Sequence, residues 1–358
     1  MTELDLAPPG PGEALVRLHA SGVCHSDLNA IEGTVPTPYP VVLGHEGAGV
    51  VEHAGEGVEL APGTRVMLAW LPACGRCDPC RRGLPHLCAA AWDAMASGGL
   101  LDGTPRLSRD GEPVHHYSLL STFAERTVVP AACCIPIPDD VPFDVAALSG
   151  CAVATGTGAV WRTAGVRPGD RVAVIGCGGV GMSAVLGAVA AGAHPVVAVD
   201  VAQAKLAAAE ELGATHALAW AGEPEATAEL VVEASGGGVD YAIEATGRPE
   251  AALAAFLSTR ARGAAVLVGI PAADATITLP ALPIPRLERR ILGSIYGSSR
   301  PERDFPALLE LYRRGRLPLD RLVSRRMPLD DVEDAFAAMR GGEGLRVVLD
   351  LEGASDHR

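Results

Sequence analysis

Residues 171–200 read RVAVIGCGGVGMSAVLGAVAAGAHPVVAVD, and the order of their parts decides the fold of the segment around them. A β-rich apolar run, Val172 to Ile175, leads into Gly176-Cys177-Gly178-Gly179-Val180-Gly181, a G-x-G-x-x-G. An Ala-, Val- and Leu-rich segment to Ala191 is long enough for a helix, and a second apolar run, Val196 to Val199, ends in Asp200. Strand, glycine turn, helix, strand and terminal acid are the parts of a βαβ unit that binds a dinucleotide. Gly176 permits the tight turn out of the strand, Gly178 lets the backbone approach a pyrophosphate, and Gly181 lets the helix pack closely on the sheet. The helix N-terminus offers free N–H groups and a positive dipole end to the phosphates. Asp200 follows roughly twenty residues on, where a carboxylate accepts from a ribose 2′-OH and repels a 2′-phosphate, favouring NAD over NADP. The alternative is a βαβ turn whose glycines are purely structural.

The same alternation continues to about residue 295. A helix over 203–212 stops at Gly213, Val239 to Ile243 suits a buried parallel strand, a helix over 249–258 precedes strand Ala264 to Val268, and a strand over 291–296 closes the set. This pattern predicts an α/β Rossmann domain with a doubly wound parallel sheet. The N-terminal part reads differently. After the turn in PPGPGE come an alternating strand, Ala14 to Leu18, and short glycine-punctuated strands, Gly49 to Glu52, Arg65 to Leu68 and Ser121 to Val129, the pattern of a small β-barrel-like domain. Residues 93–118 are polar and turn-rich and read as a surface lobe, and Leu148 to Val160 reads as a helix entering the next domain. The tail, with helix Phe305 to Arg314 carrying Pro306 in its first turn, helix Asp330 to Arg340 and strand Arg346 to Leu351, breaks the alternation and is returned to the first domain. The predicted domains are 1–152 plus 296–358, and 153–295.

Composition narrows the function. The 358 residues are 48% hydrophobic and 20% charged, with a net charge of −14, which argues against nucleic acid as a partner. Lys205 is the only lysine, a bias without mechanistic content. No uninterrupted apolar run reaches the ~18 residues of a membrane helix. The acidic, Pro-rich start MTELDLAPPGPGE is not a secretory or mitochondrial signal, so a cytoplasmic protein is expected. Nine cysteines in such a chain suggest metal or catalysis before disulfides. Four of them, Cys74, Cys77, Cys80 and Cys88, follow C-x2-C-x2-C-x7-C in the loop CGRCDPCRRGLPHLC. Four thiolates so close in sequence close a tetrahedron around a structural zinc, with Zn–S near ~2.3 Å. The rival is an iron–sulfur cluster, whose fourth cysteine usually comes sooner and precedes proline, where this chain has Ala89.

Cys24, His45 and Cys151 are far apart, and spacing alone does not join them. The whole chain nevertheless resembles the zinc-dependent medium-chain alcohol dehydrogenases. Gly22-Val23-Cys24-His25-Ser26-Asp27, Gly44-His45-Glu46-Gly47, the four-cysteine loop, Gly150-Cys151 with Thr155-Gly156, and the glycine fingerprint ending at Asp200 occur in that family's order and at similar separations. The resemblance implies a GroES-like β-barrel catalytic domain beside the Rossmann domain, two Zn2+ per chain, NAD(H) as cofactor, and a homodimer or homotetramer. It further implies that Cys24, His45 and Cys151 bind a catalytic zinc, with Glu46 behind the metal, Asp27 orienting the His45 ring and Ser26 passing a proton outward. Gly176, Gly178, Gly179, Val180 and Gly181 would face the pyrophosphate and nicotinamide, Asp200 and Lys205 would hold the adenosine ribose, Thr155, Val268 and Ile270 would line the nicotinamide side, and Arg346 would reach the pyrophosphate. Two departures stand out. His25 occupies the place of a pyrophosphate-binding arginine in many relatives, which predicts weaker, more pH-dependent NAD(H) binding. Asn29 stands where many relatives have a relay histidine, and asparagine does not titrate.

Trp70, Phe123, Ile270 and Tyr296 fall where pocket walls are expected. They suit an apolar or aromatic primary alcohol or its aldehyde, oxidised or reduced reversibly at the catalytic zinc with NAD(H). The lobe at 93–118 resembles a longer-loop branch that includes the mycothiol- and glutathione-dependent formaldehyde dehydrogenases. Thiol-adduct oxidation is therefore the runner-up, with Arg106, Arg109, His115 and His116 as a cationic rim. A non-catalytic zinc- and NAD-binding module and a zinc-free reductase of the same superfamily are the remaining alternatives.

Overall fold

The computed structural model describes residues 2–342 and 344–351. Residues up to Cys151 form one compact unit with those from Arg300 onward, and Ala152–Ser299 form a second.

In the second unit, strands Val172–Ile175, Val196–Asp200 and Val239–Glu244 carry the apolar stretches VAVI, VVAV and YAI without polar alternation, as strands covered on both faces must. They lie in a six-stranded sheet in the order His216–Ala219, Val196–Asp200, Val172–Ile175, Val239–Glu244, Thr259–Leu267, Arg290–Gly293, and every neighbouring pair is parallel. The order reverses beside Val172–Ile175, which makes the sheet doubly wound and puts its ligand-binding edge at the C-terminal strand ends. Ile175, Val197, Val199, Val231, Ala242 and Phe256 share one core cluster.

Two expectations change here. The last strand is Arg290–Gly293, not 291–296, because Tyr296, Gly297 and Ser298 turn at positive φ. Residues 296–299 belong to the second unit, not to the returning tail. The Gly297 carbonyl lies so close to Gly158 that a Cβ there would sit 2.3 Å from it.

The first unit is organised on Glu13–Gly22. This ten-residue strand pairs antiparallel with Glu46–Ala54 along one edge. Along the other edge its first half pairs with Arg126–Pro130, and Ala20, Ser21 and Gly22 pair with Asp350, Leu349 and Val348. That last pairing is why the tail belongs to this unit. Val323–Pro328 extends the sheet beyond the tail strand, and Arg65–Leu68 with Cys134–Pro136 extend it at the other end. Val16, Leu18, Val66, Leu68, Val129 and Leu349 share its core.

Residues 93–118 are more ordered than a polar, turn-rich lobe. Helix Ala89–Ser97 leads to a hairpin, Leu107–Arg109 with Glu112–His116, and the hairpin joins Asp5–Leu6 and Val41–Val42 in a four-stranded sheet. The anchors are Ala94, Leu100 and Leu119, which share a small core with Val128. The helix expected over 305–314 is Pro301–Arg313. Pro301 takes the first helical position, where its missing N–H costs nothing, so Pro306 falls in the second turn. Phe143–Ala164 is long and apolar enough to cross a membrane, but 83% of its apolar window is buried within the protein.

The new hairpin buries a histidine. His116 is 1% exposed, and its Nε2 accepts the Arg106 N–H at 3.1 Å. Burial, followed by the charges of Arg106 and His115, pulls its pKa from 6.5 to about 4. A base depressed in the folded state supports the fold above its ordinary pKa, and that support drains as pH falls through the folded value. Between pH 6.5 and 4, the native chain should therefore lose up to about 3 kcal/mol more stability than His116→Gln. Denaturant titrations across that range test this, and equal pH slopes would refute it.

Candidate metal and cofactor sites

Cys24 caps helix His25–Ile31 with an extended backbone, φ −123° and ψ 152°. The helix turns Asp27 inward, where it has no exposed surface. Asp27 Oδ2 accepts the Cys24 N–H at 3.1 Å, and Oδ1 accepts the Gly44 N–H at 3.0 Å and lies 3.1 Å from His45 Nδ1. With Nδ1 engaged, Nε2 is the His45 nitrogen left for a metal. Cys151 arrives from helix Phe143–Ala164, at a π-type turn over Ser149–Val153. Such turns re-aim a helical side chain and recur at functional sites.

One ligand atom from each of Cys24, His45, Glu46 and Cys151 lies within 4.8 Å of all the others, and all four residues are buried. The structure thus brings together the three separated residues that spacing could not join. Glu46 belongs to the same cluster. Its Oε2 pairs with Arg346, and its Oε1 is buried without a hydrogen-bond partner. Two thiols, an imidazole nitrogen and an orphaned carboxylate oxygen suit zinc. The electrostatics agree. The hydrogen bond from Cys151 outweighs burial and, with the charges of His45 and Arg346, holds the Cys24 thiol well below its usual pKa. Burial opposes charge on His45, but Asp27 and Cys24 push its pKa well up. Burial raises Glu46 to about 7 against the pull of Arg346.

Ser26 is half-buried in the same helix, with Oγ 3.8 Å from Cys24 Sγ, while His25 is exposed. Arg346 was expected at a pyrophosphate. It is 7% exposed and paired with Glu46, whose buried carboxylate needs a cation. Tyr117 is a functional candidate that the sequence reading missed. Its hydroxyl donates to the Ser26 carbonyl at 2.8 Å, and its ring stands edge-on to His45 at 5.6 Å between centroids. Its place after His115-His116, in a segment read as surface, gave no sign of this.

The second cluster is Cys74, Cys77, Cys80 and Cys88, whose sulfurs all lie within 4.8 Å of one another. The Cys77 N–H donates to Cys74 Sγ at 3.4 Å and the Cys74 N–H to Cys88 Sγ at 3.3 Å, the pattern of a loop folded around thiolates. Backbone donation from Cys80 leads in lowering the Cys77 thiol to about 6.

In the second unit, Gly176 turns at φ +93°, and a Cβ on Gly181 would sit 1.7 Å from the Gly176 carbonyl. Gly178, which caps helix Gly179–Ala190, has nothing within 4 Å of the place its Cβ would occupy. Two glycines are thus required by the fold, and the third leaves an open cradle at a helix N-terminus, shaped for a pyrophosphate. Gly179 and Val180 begin that helix. Asp200 Oδ2 accepts the Cys177 N–H at 2.7 Å, and Oδ1 accepts the Ala202 N–H at 2.9 Å. Lys205 is half-buried in the first turn of Gln203–Glu211. Val268 lies just beyond a C-terminal strand end, on the ligand edge, with Ile270, 50% exposed, two residues on. Thr155 is half-buried in its helix. The sequence reading also missed Glu244 on this edge. It is 2% exposed, and its Oε1 accepts the N–H groups of Thr246 and Gly247 and the Thr246 hydroxyl at 2.6–2.8 Å, bracing the turn beside Gly176.

The expected pocket walls divide. Phe123 packs against Gly44, one residue ahead of His45, and stands edge-on to Phe336 at 6.1 Å. Trp70 is half-buried and edge-on to Trp92 at 6.1 Å. Tyr296 is only 1% exposed and is a buried residue of the second unit. Two residues of the expected cationic rim, Arg106 and His116, are engaged inside the lobe, while Arg109 remains 63% exposed. Arg106 pairs with Glu13 at 2.5 Å and Asp102 at 2.7 Å, His116 is buried and neutral, and Arg109 sits 3.9 Å from Asp110.

The chain matches the family models for the alcohol dehydrogenase GroES-like domain over residues 10–139 and for zinc-binding dehydrogenases over residues 179–314. It is 37% identical to alcohol dehydrogenase B of Mycobacterium tuberculosis (strain CDC 1551 / Oshkosh), over 97% of this chain and 93% of that protein. Among solved structures, an alcohol dehydrogenase zinc-binding domain protein from Burkholderia ambifaria superposes with a TM-score of 0.92 at 36% identity, covering 97% of this chain and 94% of that one. Benzyl alcohol dehydrogenase from Acinetobacter calcoaceticus superposes with a TM-score of 0.91 at 31% identity and the same coverage.

The open cradle yields a direct test. Gly178→Ala should melt at the native temperature, since its added methyl meets no protein atom, but should bind NADH at least about tenfold more weakly by filling the phosphate approach. Calorimetric titration beside a thermal melt separates the two effects, and native NADH affinity would exclude the cradle as the pyrophosphate site.

Proposed function

The chain belongs to the zinc-dependent medium-chain alcohol dehydrogenase family, and we propose that it interconverts an apolar or aromatic primary alcohol and its aldehyde by hydride exchange with NAD(H). The observation that carries this reading is the buried convergence of Cys24, His45, Glu46 and Cys151 within 4.8 Å, beside Ser26. Cys24, His45 and Cys151 would hold a catalytic zinc and the four-cysteine loop a structural one. Bound at the first cluster, zinc supplies Lewis acidity toward a hydroxyl or carbonyl oxygen.

The chain's own groups do the rest. Asp27 holds the His45 ring through Nδ1 and so fixes the direction of Nε2. The Ser26 hydroxyl passes the substrate proton outward, and the non-titrating Asn29 in the same helix leaves solvent as the next acceptor. The cradle at Gly178 receives the pyrophosphate. Asp200 accepts from the ribose through lone pairs not used by its two backbone donors, and no arginine follows it in Val201-Ala202 to welcome a 2′-phosphate.

Trp70 and Phe123, each edge-on to a second aromatic ring, support an apolar or aromatic substrate, as does the likeness to a benzyl alcohol dehydrogenase. The thiol-adduct alternative has less support, because Arg106 is already neutralised by two carboxylates.

Metal analysis of the native chain should give two zincs, and an NADH-oxidation screen should find turnover with aromatic aldehydes. Cys151→Ser should retain one zinc and lose turnover. Ser26→Ala should retain both zincs and lose roughly a hundredfold in kcat. One zinc and no turnover in the native chain would overturn the catalytic reading in favour of a binding module.

A further inference from the structure

All strands of a parallel sheet begin at one edge. In the second unit, Asp240 sits at the start of Val239–Glu244, Arg260 and Arg262 near the start of Thr259–Leu267, and Arg290 at the start of Arg290–Gly293. Together with Ala261, Glu288 and Arg289 they line a cavity of about 680 Å3. The glycine turn lies at the other edge, after Ile175. Asp240 and Glu244, which mark the two edges on one strand, are roughly 13 Å apart at ~3.3 Å per residue. The cavity is therefore separate from the dinucleotide cradle.

Its charge is the reverse of the chain's net −14. Four guanidinium groups face two carboxylates. Arg260 is held by Asp240 at 2.5 Å. Arg262 meets Glu288 at 3.2 Å, but both side chains are more than two-thirds exposed, so water screens that pair heavily. Among the described residues, no carboxylate pairs with Arg289 or Arg290. Arg290 donates to the Arg262 carbonyl at 3.0 Å. Arg289 lies over the Phe256 ring at 5.7 Å, with its Nε buried and without an acceptor. Burial pulls its pKa down with no offsetting anion. The backbone adds an independent sign: Arg262 holds a φ of 62°, a left-handed conformation that side-chain-bearing residues seldom adopt and that clusters at ligand sites.

We propose that this cavity is an anion site for a di- or triphosphate group, gripped by the forks of Arg289 and Arg290 with Arg260 and Arg262 at its sides. A single carboxylate would satisfy one guanidinium fork. Two forks with no carboxylate partner call for adjacent anionic groups, which a phosphate chain supplies. The volume admits a phosphate chain either free or as the tail of a nucleotide.

The test is calorimetric titration of inorganic tripolyphosphate into the zinc-loaded chain saturated with NADH, which removes the dinucleotide cradle from competition. One binding event per chain is expected, weakening as sodium chloride is raised. The double variant Arg289→Gln/Arg290→Gln should bind at least about tenfold more weakly while retaining its NADH affinity and melting temperature. Arg290→Gln alone, at an exposed position, should weaken binding in the same direction and guards against misfolding of the double variant. Adenosine triphosphate in a second titration distinguishes the source: equal affinity assigns the site to a free phosphate chain, and tighter binding that is also lost in the variants assigns it to a nucleotide tail. Native affinity in both variants, or no binding by the native chain, would overturn the proposal.

Discussion

Everything at the metal cluster depends on one carboxylate with no access to water. Asp27 takes the Cys24 N–H, the Gly44 N–H and His45 Nδ1 into a single set of hydrogen bonds. A buried carboxylate is costly unless its lone pairs are satisfied, so these three groups are held where Asp27 needs them. The result is that the start of helix His25–Ile31 and the loop before Glu46–Ala54 become one rigid piece, with Cys24 and His45 on it. Tyr117 closes the piece from a third segment, through the Ser26 carbonyl and the edge of the His45 ring. The ligands are thus positioned by protein contacts, and a metal would find them preorganised.

The second constraint is the buried pair of Glu46 and Arg346. Taking two charges out of water is expensive, and such a pair seldom stabilises a fold by itself. Here it joins the tail strand to the cluster. Removing the arginine would leave a carboxylate uncompensated beside two thiols. The C-terminal strand, remote in sequence, is therefore part of the site's electrostatics.

The sequence made some of this legible and left some of it hidden, for physical reasons. Local grammar was readable: the run of β-branched residues, the glycines and Asp200 follow one another closely, and each does in the structure what its chemistry dictates. The four-cysteine loop was readable on the same ground. The meeting of Cys24, His45 and Cys151 was not, since it depends on long-range pairing between strands, and only the likeness to a family joined them. The pairing of Arg346 with Glu46 and the burial of Tyr296 were hidden as well, because a buried ion pair or a buried ring is set by neighbours distant in sequence. The hairpin over 107–116 was hidden because its anchors, Ala94, Leu100 and Leu119, are too sparse to show a period. Glu244 looked like any strand-end acid until three donors were seen converging on it.

The pairing of Ala20–Gly22 with Val348–Asp350 also has a consequence for biosynthesis. A ribosome delivers the chain from its N-terminus, so the strand Glu13–Gly22 emerges early and its last residues wait for a partner almost a whole protein away. The second unit, a single uninterrupted segment, is delivered complete before that partner exists. Domains generally fold as units as they emerge, so the segment of the parallel sheet is available to fold while the first unit still lacks its tail strand and Arg346. The cation that pairs with Glu46 is thus among the last parts of the site's surroundings to be synthesised.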